Sequence, residues 1–409
     1  MKQIHVVGLG LCPQDLPSEI SEIISRADVI VGGQRLLDHF KGHPGVSVPI
    51  KSPVKEVIEK IGNEAREDKD VVVLADGDPG FFGIGRVIVD AFGRENVIIH
   101  SNVTTLQSAA SRLRIPWHDI VTVSLHGRRD ILPLLRALSQ CNRVGLFTGP
   151  DFGPSMVANE LIKRGVNTFN MHVFEELGTL SEKTGYYELK DALKKDFSQL
   201  NFVLFQRVHP PEIRLHLGMD DELYMHERGI ITKKEVRSTG ISMLGLLPFH
   251  TLWDLGAGSG SVAIEASLLL GRGAVFAVEK NPDRACFIRR NIQKTGAYIV
   301  EVIDGKMPEC LGPLPDPDRI FIGGGIGKEN RVLSAAANRL KPGGKLVLHL
   351  VLIGSLSRAK EYFSSLKWPF SISHVQVSRS KDTAGDQRFD ALNPVYIMSA
   401  EKPLETRTK

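Results

Sequence analysis

Two glycine-rich turns, each directly after a short apolar run, constrain the fold of this chain more than any other feature. One is Gly8–Gly10, after an apolar run that begins at Ile4, and the other is Gly256–Gly260, after the run 251–255. Glycine lets a ligand approach the backbone because no Cβ blocks the turn, and strand, turn and helix form the crossover unit of a parallel sheet. The glycine spacing differs between the turns, so the two halves are not copies. We expect two nucleoside-type sites in one α/β chain.

Size and composition indicate a globular protein with more than one domain. The length of 409 residues favours two or three domains over one hydrophobic core. The hydrophobic fraction of 42% and the charged fraction of 24% are typical of soluble proteins. No apolar run reaches the roughly 18 residues that suggest a membrane span, and the N-terminus has no signal-peptide pattern. We therefore expect a cytoplasmic protein without a membrane partner.

Charge and cysteine content argue against several classes of site. The net charge of +4 suits an acidic ligand, but the sequence lacks the dense Lys/Arg stripe of a nucleic-acid-binding protein. The four cysteines are scattered, without a Cys-x-x-Cys pair or a histidine at metal spacing; they are Cys12, Cys141, Cys286 and Cys310. The sequence therefore predicts no nucleic-acid partner, no disulfide and no metal site.

The first half alternates apolar strand patterns with amphipathic helix patterns. We expect strands at 4–7, 29–31, 71–75, 97–100, 121–125, 144–148 and 202–205, and helices that include 53–65 and 155–164. The pattern stops near Pro210-Pro211, since consecutive prolines disfavour a helix. We therefore predict a first domain at 1–207, a linker at 208–225 and a second domain at 226–409.

The second half is another α/β series. Helices are expected at 234–246, 261–270, 282–294 and 329–340, and strands at 251–255, 274–278, 298–303, 319–322, 345–350, 371–377 and 394–399. The last two strands would form a terminal hairpin after an otherwise parallel sheet. This order is typical of a class I methyltransferase domain, whose sheet is Rossmann-like.

The turn at Gly256–Gly260 fits an adenosyl-amino acid better than a dinucleotide. The amides at the start of the next helix would face the ligand's carboxylate, and Glu279, at the end of the next strand, would accept hydrogen bonds from both ribose hydroxyls. A dinucleotide turn has its third glycine one residue later, where this chain has Ser261. We therefore predict S-adenosyl-L-methionine as the cofactor, bound by Asp254, Gly256, Ala257, Gly258, Ser259, Gly260 and Glu279.

The loop after the fourth strand of this half indicates a bulky acceptor. Enzymes that methylate exocyclic amines of bases or Gln usually have an Asn/Asp-Pro-Pro-aromatic sequence here, whereas this chain has Gly323-Gly324-Gly325-Ile326-Gly327. Bare backbone leaves room for a large ligand and offers no side chain to hold an amine. A tight turn would explain one or two of these glycines, but four of the five positions are glycine.

These motifs together resemble the decarboxylating precorrin methyltransferases of corrin biosynthesis. The resemblance rests on Ile231–Arg237, Gly256–Gly260, Gly323–Gly325 and the ending Leu392–Tyr396. It implies that Thr232 contacts the cofactor and that Gly323 lies beside it. The family usually has Gly-Asp-Ala-Pro after the third strand to hold the adenine. This chain has Asp304-Gly305-Lys306-Met307-Pro308, so Asp304 and Gly305 are displaced candidates for that contact.

The first half resembles the tetrapyrrole methylase family over nearly all of residues 1–205. The matching segments follow one another in order and are Val6–Gly10, Ala75–Gly85, Asn102–Ala110, Val123–Arg128 and Glu175–Thr179. In that family two α/β lobes enclose the folded cofactor. The resemblance implies cofactor contacts from Gly8, Gly10, Asp76, Gly77, Asp78, Thr104 and Thr105. Asp76 and Asp78 would alternatively be plain turn formers, and His126 either contacts substrate or is structural.

The order of the two halves resembles the fused C5,15-methyltransferases (decarboxylating) of the same pathway. The resemblance implies a homo-oligomer whose substrate is a precorrin-6 or cobalt-precorrin-6 macrocycle. The first domain would methylate C5, and the second would methylate C15 and decarboxylate the ring C acetate. Because the macrocycle carries many carboxylates, we expect cations to rim both clefts; the candidates are Lys233, Arg237, Arg379 and Lys381.

Two other interpretations stay open at this stage. One is an RNA or protein methyltransferase with a non-catalytic N-terminal scaffold domain, although the sequence has neither a basic, aromatic-rich pattern nor a proline-rich motif to hold an amine. The other is a decarboxylating methyltransferase whose first half only docks the second, because Leu11-Cys12 replaces the commoner Pro-Gly after the first glycines.

Overall fold

Three sheets with alternating helices organise the chain, whose computed structural model describes residues 1–404 except 52, 127–129, 228, 324–325 and 328. The α/β class expected from the alternating pattern is confirmed. The chain divides into two compact units. The first comprises Met1–Arg129, Arg143–Met156 and Asn170–Gln206, and the second comprises Asp130–Asn142, Val157–Phe169 and Arg207–Lys409.

The first sheet is parallel, and its inner strands are buried on both faces. Its strands are β1 (Ile4–Gly8), β2 (Val29–Gly32), β3 (Val46–Pro49), β4 (Val71–Ala75) and β5 (Val97–His100), in the order β3-β2-β4-β1-β5. Between them lie α1 (Ser18–Ser25), α2 (Gln34–Leu37), α3 (Val54–Arg66) and α4 (Gly85–Phe92). In β4, Val71 and Val73 enter one core, whereas Val72 and Leu74 enter the other. Burial on both faces explains why the inner strands β2 and β4 are apolar throughout, whereas the edge strands β3 and β5 are partly exposed.

The second sheet mixes parallel and antiparallel pairs. Its strands are β6 (Val121–Ser124), β7 (Arg143–Phe147), β8 (Phe169–Glu175), β9 (Lys183–Glu188) and β10 (Asn201–Arg207), in the order β6-β7-β10-β8-β9. The helices of this stretch are α5 (Thr105–Leu113), α6 (Leu132–Gln140), α7 (Pro154–Lys163) and α8 (Leu189–Ala192). The sequence pattern predicted β6, β7 and β10 but neither β8 nor β9.

The third sheet lies in the second unit and has seven strands. They are β11 (Thr251–Leu255), β12 (Ala274–Glu279), β13 (Val300–Asp304), β14 (Arg319–Ile322), β15 (Lys345–Leu350), β16 (Phe370–Val375) and, after the hairpin described next, β19 (Val395–Glu401). The order is β13-β12-β11-β14-β15-β19-β16, and only the pairs made by β19 are antiparallel. The helices are α9 (Lys234–Leu244), α10 (Ser261–Ser267), α11 (Pro282–Thr295), α12 (Arg331–Arg339) and α13 (Ile353–Ser365).

The end of the chain is more elaborate than the expected hairpin. The predicted strands at 371–377 and 394–399 are β16 and β19, which pair with each other as expected. Between them the chain forms an additional exposed hairpin of β17 (Ser378–Thr383) and β18 (Asp386–Ala391). Because β16 runs parallel to β15, this hairpin leaves the sheet at the carboxyl edge of the parallel strands.

Part of the expected linker is a folded part of the second unit. Met219, Asp221 and Tyr224 are buried, and the backbone amides of Gly218 and Met219 donate to the Glu265 carboxylate on α10, at 2.7 and 3.1 Å. Residues 218–225 therefore belong to the second unit rather than to a linker. Among the described residues, no helix combines the length and apolarity needed to cross a bilayer.

Candidate functional site

The residues predicted to bind the cofactor in the second half meet at one edge of the third sheet. Gly256 follows β11, Glu279 ends β12, Asp304 ends β13 and Gly323 follows β14. The register pairs Glu279 with Asp304 and places Leu255 beside Ile322, so these strand ends are neighbours. Open α/β sheets bind ligands at the carboxyl ends of their strands. The structure thus brings together residues that are up to 69 positions apart in sequence, from Asp254 to Gly323.

The glycines after β11 are required by the backbone. Gly256, Gly258 and Gly260 have φ values of +77°, +59° and +76°, which side chains other than glycine rarely adopt. A Cβ at Gly260 would lie 2.7 Å from Cγ2 of Ile288 on α11. The amides of Gly256 and Ala257 both donate to the carbonyl of Val278, at 2.9 and 3.0 Å, which fixes the turn to β12. The bare backbone of the turn therefore forms part of the carboxyl edge.

The Glu279 side chain stabilises this turn by accepting backbone hydrogen bonds. One carboxylate oxygen accepts from the Gly258 amide at 2.9 Å, and the other accepts from the amides of Lys280 and Asn281, at 2.9 and 3.0 Å. A carboxylate has about four lone-pair positions, so about one remains free. In this geometry Glu279 has room to accept from one ribose hydroxyl rather than from both.

Asp254 is the buried acid of the edge. Its Oδ2 accepts from the Ala263 amide on α10 at 3.0 Å, whereas Oδ1 has no hydrogen-bond partner among the described residues. Burial is the main reason that the pKa of this carboxyl rises to about 7, and the negative charge of Glu279 raises it further. A buried carboxylate oxygen without a partner is costly, and a cationic or N–H-donating ligand would compensate it. The site therefore fits the ammonium group of the predicted cofactor.

The remaining predicted residues of this half lie around the same edge. Asp304 is exposed and pairs with Arg289, and the Gly305 amide donates to the Glu279 carbonyl at 3.0 Å. A Cβ at Gly323 would come within 3.3 Å of the Gly256 carbonyl, so the two loops approach closely. Gly324 and Gly325, which complete the predicted glycine run, lie outside the described residues. Thr232 is half-buried just before α9.

The N-terminal motifs interlock at the carboxyl edge of the first sheet. Gly10 and Gly77 exchange two backbone hydrogen bonds, at 3.2 and 3.0 Å. A Cβ at Gly8 would collide with the Gly77 carbonyl, and both Gly10 and Gly77 have φ near +60°, at +64° and +58°. The turn after β1 therefore packs directly against the segment after β4, as two parts of one site would.

The two aspartates of the first site differ in what they contact. The Asp78 carboxylate accepts from the amides of Gly80 and Asn102, at 2.7 and 3.1 Å, and so holds the loops after β4 and β5 together. This geometry favours the turn-forming interpretation of Asp78. Asp76 is exposed, and its one side-chain partner among the described residues is Arg35, after β2. Sequence reasoning missed Arg35, since it lies 41 positions before Asp76.

Thr104 and Thr105 begin α5, and His126 follows β6. The Thr104 hydroxyl accepts from the Gln107 amide at 3.1 Å, while the Gln107 side chain accepts from the Thr104 amide at 2.8 Å. This capping box uses the hydroxyl for the helix. His126 is exposed, and the residues that follow it in the predicted motif, Gly127 and Arg128, lie outside the described part of the chain.

Comparison with known proteins assigns the chain to a family. Residues 3–192 match the model described as tetrapyrrole (corrin/porphyrin) methylases, and residues 222–402 match the model described as a precorrin methyltransferase domain. The precorrin-6Y C(5,15)-methyltransferase [decarboxylating] of a Sinorhizobium species is 34% identical over 362 residues, which is 85% of this chain and 84% of that protein. The chain belongs to the precorrin-6Y C5,15-methyltransferase family.

Relatives of one half alone also exist. A probable cobalt-precorrin-6B C(15)-methyltransferase (decarboxylating) from Pyrobaculum calidifontis is 37% identical over 186 residues, 45% of this chain and 95% of that protein. A crystal structure of precorrin-6Y C5,15-methyltransferase from Geobacter metallireducens GS-15 is 40% identical and covers 46% of this chain and 98% of that chain, with a TM-score of 0.44. As a member of this family, the chain is a methyltransferase.

Arg237 does not lie at the rim of a cleft, so this prediction was wrong. Its side chain has no exposed surface. The guanidinium donates to Glu265 at 2.8 Å, to Asp221 at 3.2 Å and to the carbonyls of Thr232 and Met219. A buried cation is stable only when charge and hydrogen bonds compensate it, and here two buried carboxylates do so. Four of its five N–H groups donate within this network, and because the side chain is fully buried the guanidinium does not reach a cleft.

Two other predicted cations gather at the same buried acid. Arg379 contacts Glu235 at 2.7 Å and Asp221 at 3.0 Å, and Lys233 lies 3.8 Å from Asp221. Hydrogen bonding to Glu235 is the main cause that raises the pKa of Arg379 above its usual range. Both side chains remain partly exposed, so they stay candidates for substrate carboxylates. Lys381, on the exposed hairpin, lies 3.9 Å from Asp390, and its side chain is exposed.

Sequence reasoning missed the acids that organise these cations. Asp221 was assigned to the linker, and Glu265 and Tyr224 were not considered. The Tyr224 hydroxyl donates to Glu265 at 3.0 Å, and burial is the main cause that raises the pKa of this phenol. The available signal was the acidic run Asp220–Glu222 ahead of a helix rich in cations. These acids and cations are near each other in sequence although they were assigned to different elements, and this proximity indicated a buried ion-pair network.

Proposed function

We propose that this chain transfers two methyl groups from S-adenosyl-L-methionine to a precorrin-6-type macrocycle. The first domain methylates C5, and the second methylates C15 and decarboxylates the ring C acetate. One observation carries the proposal: a glycine turn lies at the carboxyl edge of a parallel sheet in each unit of a chain that is 34% identical, over 85% of its length, to a C5,15-methyltransferase.

The proposal includes the architecture of each half. We assign the first domain to the two-lobed tetrapyrrole methylase fold and the second to the class I, Rossmann-like methyltransferase fold. Support for the second assignment comes from the strand order β13-β12-β11-β14-β15-β19-β16 with an antiparallel β19. Support for the first comes from its two five-stranded sheets and from the family match over residues 3–192.

The chemistry requires alignment more than acid–base catalysis. The bound cofactor supplies an activated methyl group, and well-oriented reactants can lower the barrier by up to roughly 7–11 kcal/mol. The glycine turn after β11 and the carboxylates of Glu279 and Asp254 would hold and orient the donor. Decarboxylation replaces the carboxylate of the acetate by a proton and releases carbon dioxide. The bare backbone near Gly323 would leave space for the macrocycle.

We propose the metal-free macrocycle as the natural substrate. The relative that matches both halves carries the name precorrin-6Y, whereas the relatives named for cobalt-precorrin-6B match about half of the chain, 45% to 46%.

A homo-oligomer, which the family resemblance implies, is part of the proposal. Light scattering after size-exclusion chromatography of the purified chain tests it directly, since a monomer mass would contradict it.

Mass spectrometry of the reaction products tests the proposed function. Purified protein, precorrin-6Y and S-adenosyl-L-methionine should give a macrocycle with two additional methyl groups and without one carbon dioxide. The Asp254→Asn variant should still add the C5 methyl but lose most decarboxylation, because the unpartnered oxygen of Asp254 belongs to the second site alone. An unchanged macrocycle, together with methyl transfer to RNA or protein, would favour the alternative function.

A further inference from the structure

An exposed phenylalanine at the first site has an unfavourable backbone conformation. Phe82 has φ of +55°, a region that bulky side chains rarely occupy, and its residue surface is 57% exposed. Residues in such conformations cluster at functional sites, where the surrounding structure holds them. Phe82 lies in the loop between β4 and α4, in the same loop as the Asp76–Asp78 segment. The chain therefore maintains an exposed aromatic ring at the carboxyl edge of the first sheet.

Other aromatic rings support Phe82 from one side. Its ring centroid lies 5.1 Å from that of Phe81 and 5.7 Å from that of Phe147 on β7. Phe147 in turn lies 5.0 Å from Phe202 on β10, inside the core of the second sheet. The exposed ring is thus the outermost member of an aromatic cluster that joins the two sheets of the first unit. An apolar ring so held offers a preformed flat contact surface.

A cation lies at the same sheet edge. Arg35, after β2, pairs with Asp76, after the neighbouring strand β4, and both side chains are about half-exposed, at 48% and 65%. Exposed ion pairs contribute little to stability, so folding gives little reason for this pair. One of the five guanidinium N–H groups suffices for the contact with Asp76, and the others are available to a second carboxylate.

We propose that Phe82 and Arg35 form the seat of the tetrapyrrole in the first domain. Phe82 packs against a face of the macrocycle, Arg35 binds one of its peripheral carboxylates, and Asp76 orients the guanidinium. The proposal rests on the proposed function, since it names the residues by which the C5 site holds that substrate. Both features match its chemistry, because a tetrapyrrole combines a broad apolar face with carboxylates around its edge.

Steady-state kinetics of the two methylations in the full chain test this seat. The product masses distinguish the two reactions. A product methylated at C5 alone retains the acetate carboxylate, whereas methylation at C15 is coupled to loss of that carboxylate as carbon dioxide. We expect Arg35→Gln to raise the KM of C5 methylation for the macrocycle about tenfold. The KM of Arg35→Lys should lie between that of the wild-type protein and that of Arg35→Gln. Phe82→Gly should raise it about fivefold. In both variants the KM for the cofactor and the C15 reaction should stay unchanged.

The choice of variants distinguishes a folding defect from the loss of a contact with the macrocycle. Glycine adopts the φ of Phe82 without strain, so Phe82→Gly removes the ring while the loop conformation remains accessible, and Phe82→Tyr should restore the KM. The matched control is Arg26→Gln, which removes an exposed ion pair with Glu22 at the end of α1. This helix end leads into the start of β2, at the opposite edge of the sheet.

Two results would overturn the seat. One is a C5 methylation whose macrocycle KM is the same in Arg35→Gln, Phe82→Gly and wild-type protein. The other is an effect on the cofactor KM instead of the macrocycle KM. Absence of C5 methylation by the wild-type protein is a separate outcome, which contradicts the proposed function itself.

Discussion

At the scale of single residues, the Asp254 carboxylate couples ligand binding to protonation. Its pKa of about 7 in the folded protein exceeds the ordinary value of about 3.9. The folded state therefore binds more protons than the unfolded state between these values, and the free energy of unfolding falls as pH rises through this window. A cationic ligand beside Asp254 lowers its pKa, so binding should strengthen as pH rises toward about 7 and then level off.

The variant Asp254→Asn should remove this pH dependence. Calorimetric titration of S-adenosylhomocysteine between pH 6 and pH 8 should show affinity at the second site that rises with pH in the wild-type protein, by less than about tenfold per unit. The variant should bind more weakly, with a flat profile. Asp304→Asn, an exposed carboxylate at the same edge, should keep the slope. A slope retained in Asp254→Asn would remove Asp254 as its source.

Arg237 is structural, and its removal should destabilise the protein. Arg237→Ala leaves the buried carboxylates of Glu265 and Asp221 without their main cation, which should lower the free energy of unfolding by about 3–5 kcal/mol. Lys381→Ala, which removes an exposed cation, should change it by less than about 0.5 kcal/mol. Denaturant unfolding of both variants measures this. Normal stability with weaker macrocycle binding would instead return Arg237 to the substrate site.

At the scale of elements, helix α9 packs on the third sheet through a glycine and a histidine. A Cβ at Gly240 would collide with Nε2 of His349 on β15, and the imidazole lies edge-on to Phe321 with ring centroids 4.6 Å apart. Neither ring nitrogen of His349 has a partner among the described residues. Burial lowers the pKa of this imidazole to about 3, so the packing requires its neutral form.

This packing should make the fold acid-sensitive. Below about pH 6.5 the unfolded state takes up a proton at this histidine that the folded state refuses, so stability is lost as pH falls from about 6.5 toward about 3. His349→Leu should reduce the loss between pH 7 and pH 5 by about 2 kcal/mol. Denaturant unfolding at the two pH values measures it, with His374→Leu on the exposed face of β16 as control. An unchanged acid sensitivity would contradict this account.

Most strands that the sequence predicted have a buried apolar side, although the predicted β16 is mostly exposed. Strands such as β4 and β11, whose residues are all or almost all buried, were found from their apolar runs. The pattern missed β3 and also β8, whose buried apolar residues alternate with Asn170 and His172. It also missed β9, β17 and β18, since these strands alternate polar residues or are exposed along their length. Their hydrogen-bond partners, rather than hydrophobic burial, define them. Periodicity of apolar residues carries no signal for such strands.

At the scale of the whole chain, the two units present their glycine turns in different ways. In the first, Gly8 and Gly10 lock onto Gly77 of another loop, whereas in the second the turn after β11 is held by the backbone and carboxylate at the end of β12. Contiguous motifs made both turns predictable from sequence. The contacts around each site, such as Arg35–Asp76 and Arg237–Glu265, join residues 41 and 28 positions apart, and no local sequence pattern predicts such contacts.

The count of cofactor molecules bound per chain tests the central claim most directly. Equilibrium dialysis of S-adenosylhomocysteine against the full chain should give two molecules per chain. Gly8→Val, whose side chain would collide with Gly77, and Gly260→Val, whose Cβ would lie 2.7 Å from Ile288, should each reduce the count to one. One molecule per wild-type chain, or two that persist in either variant, would contradict the assignment of one site to each glycine turn.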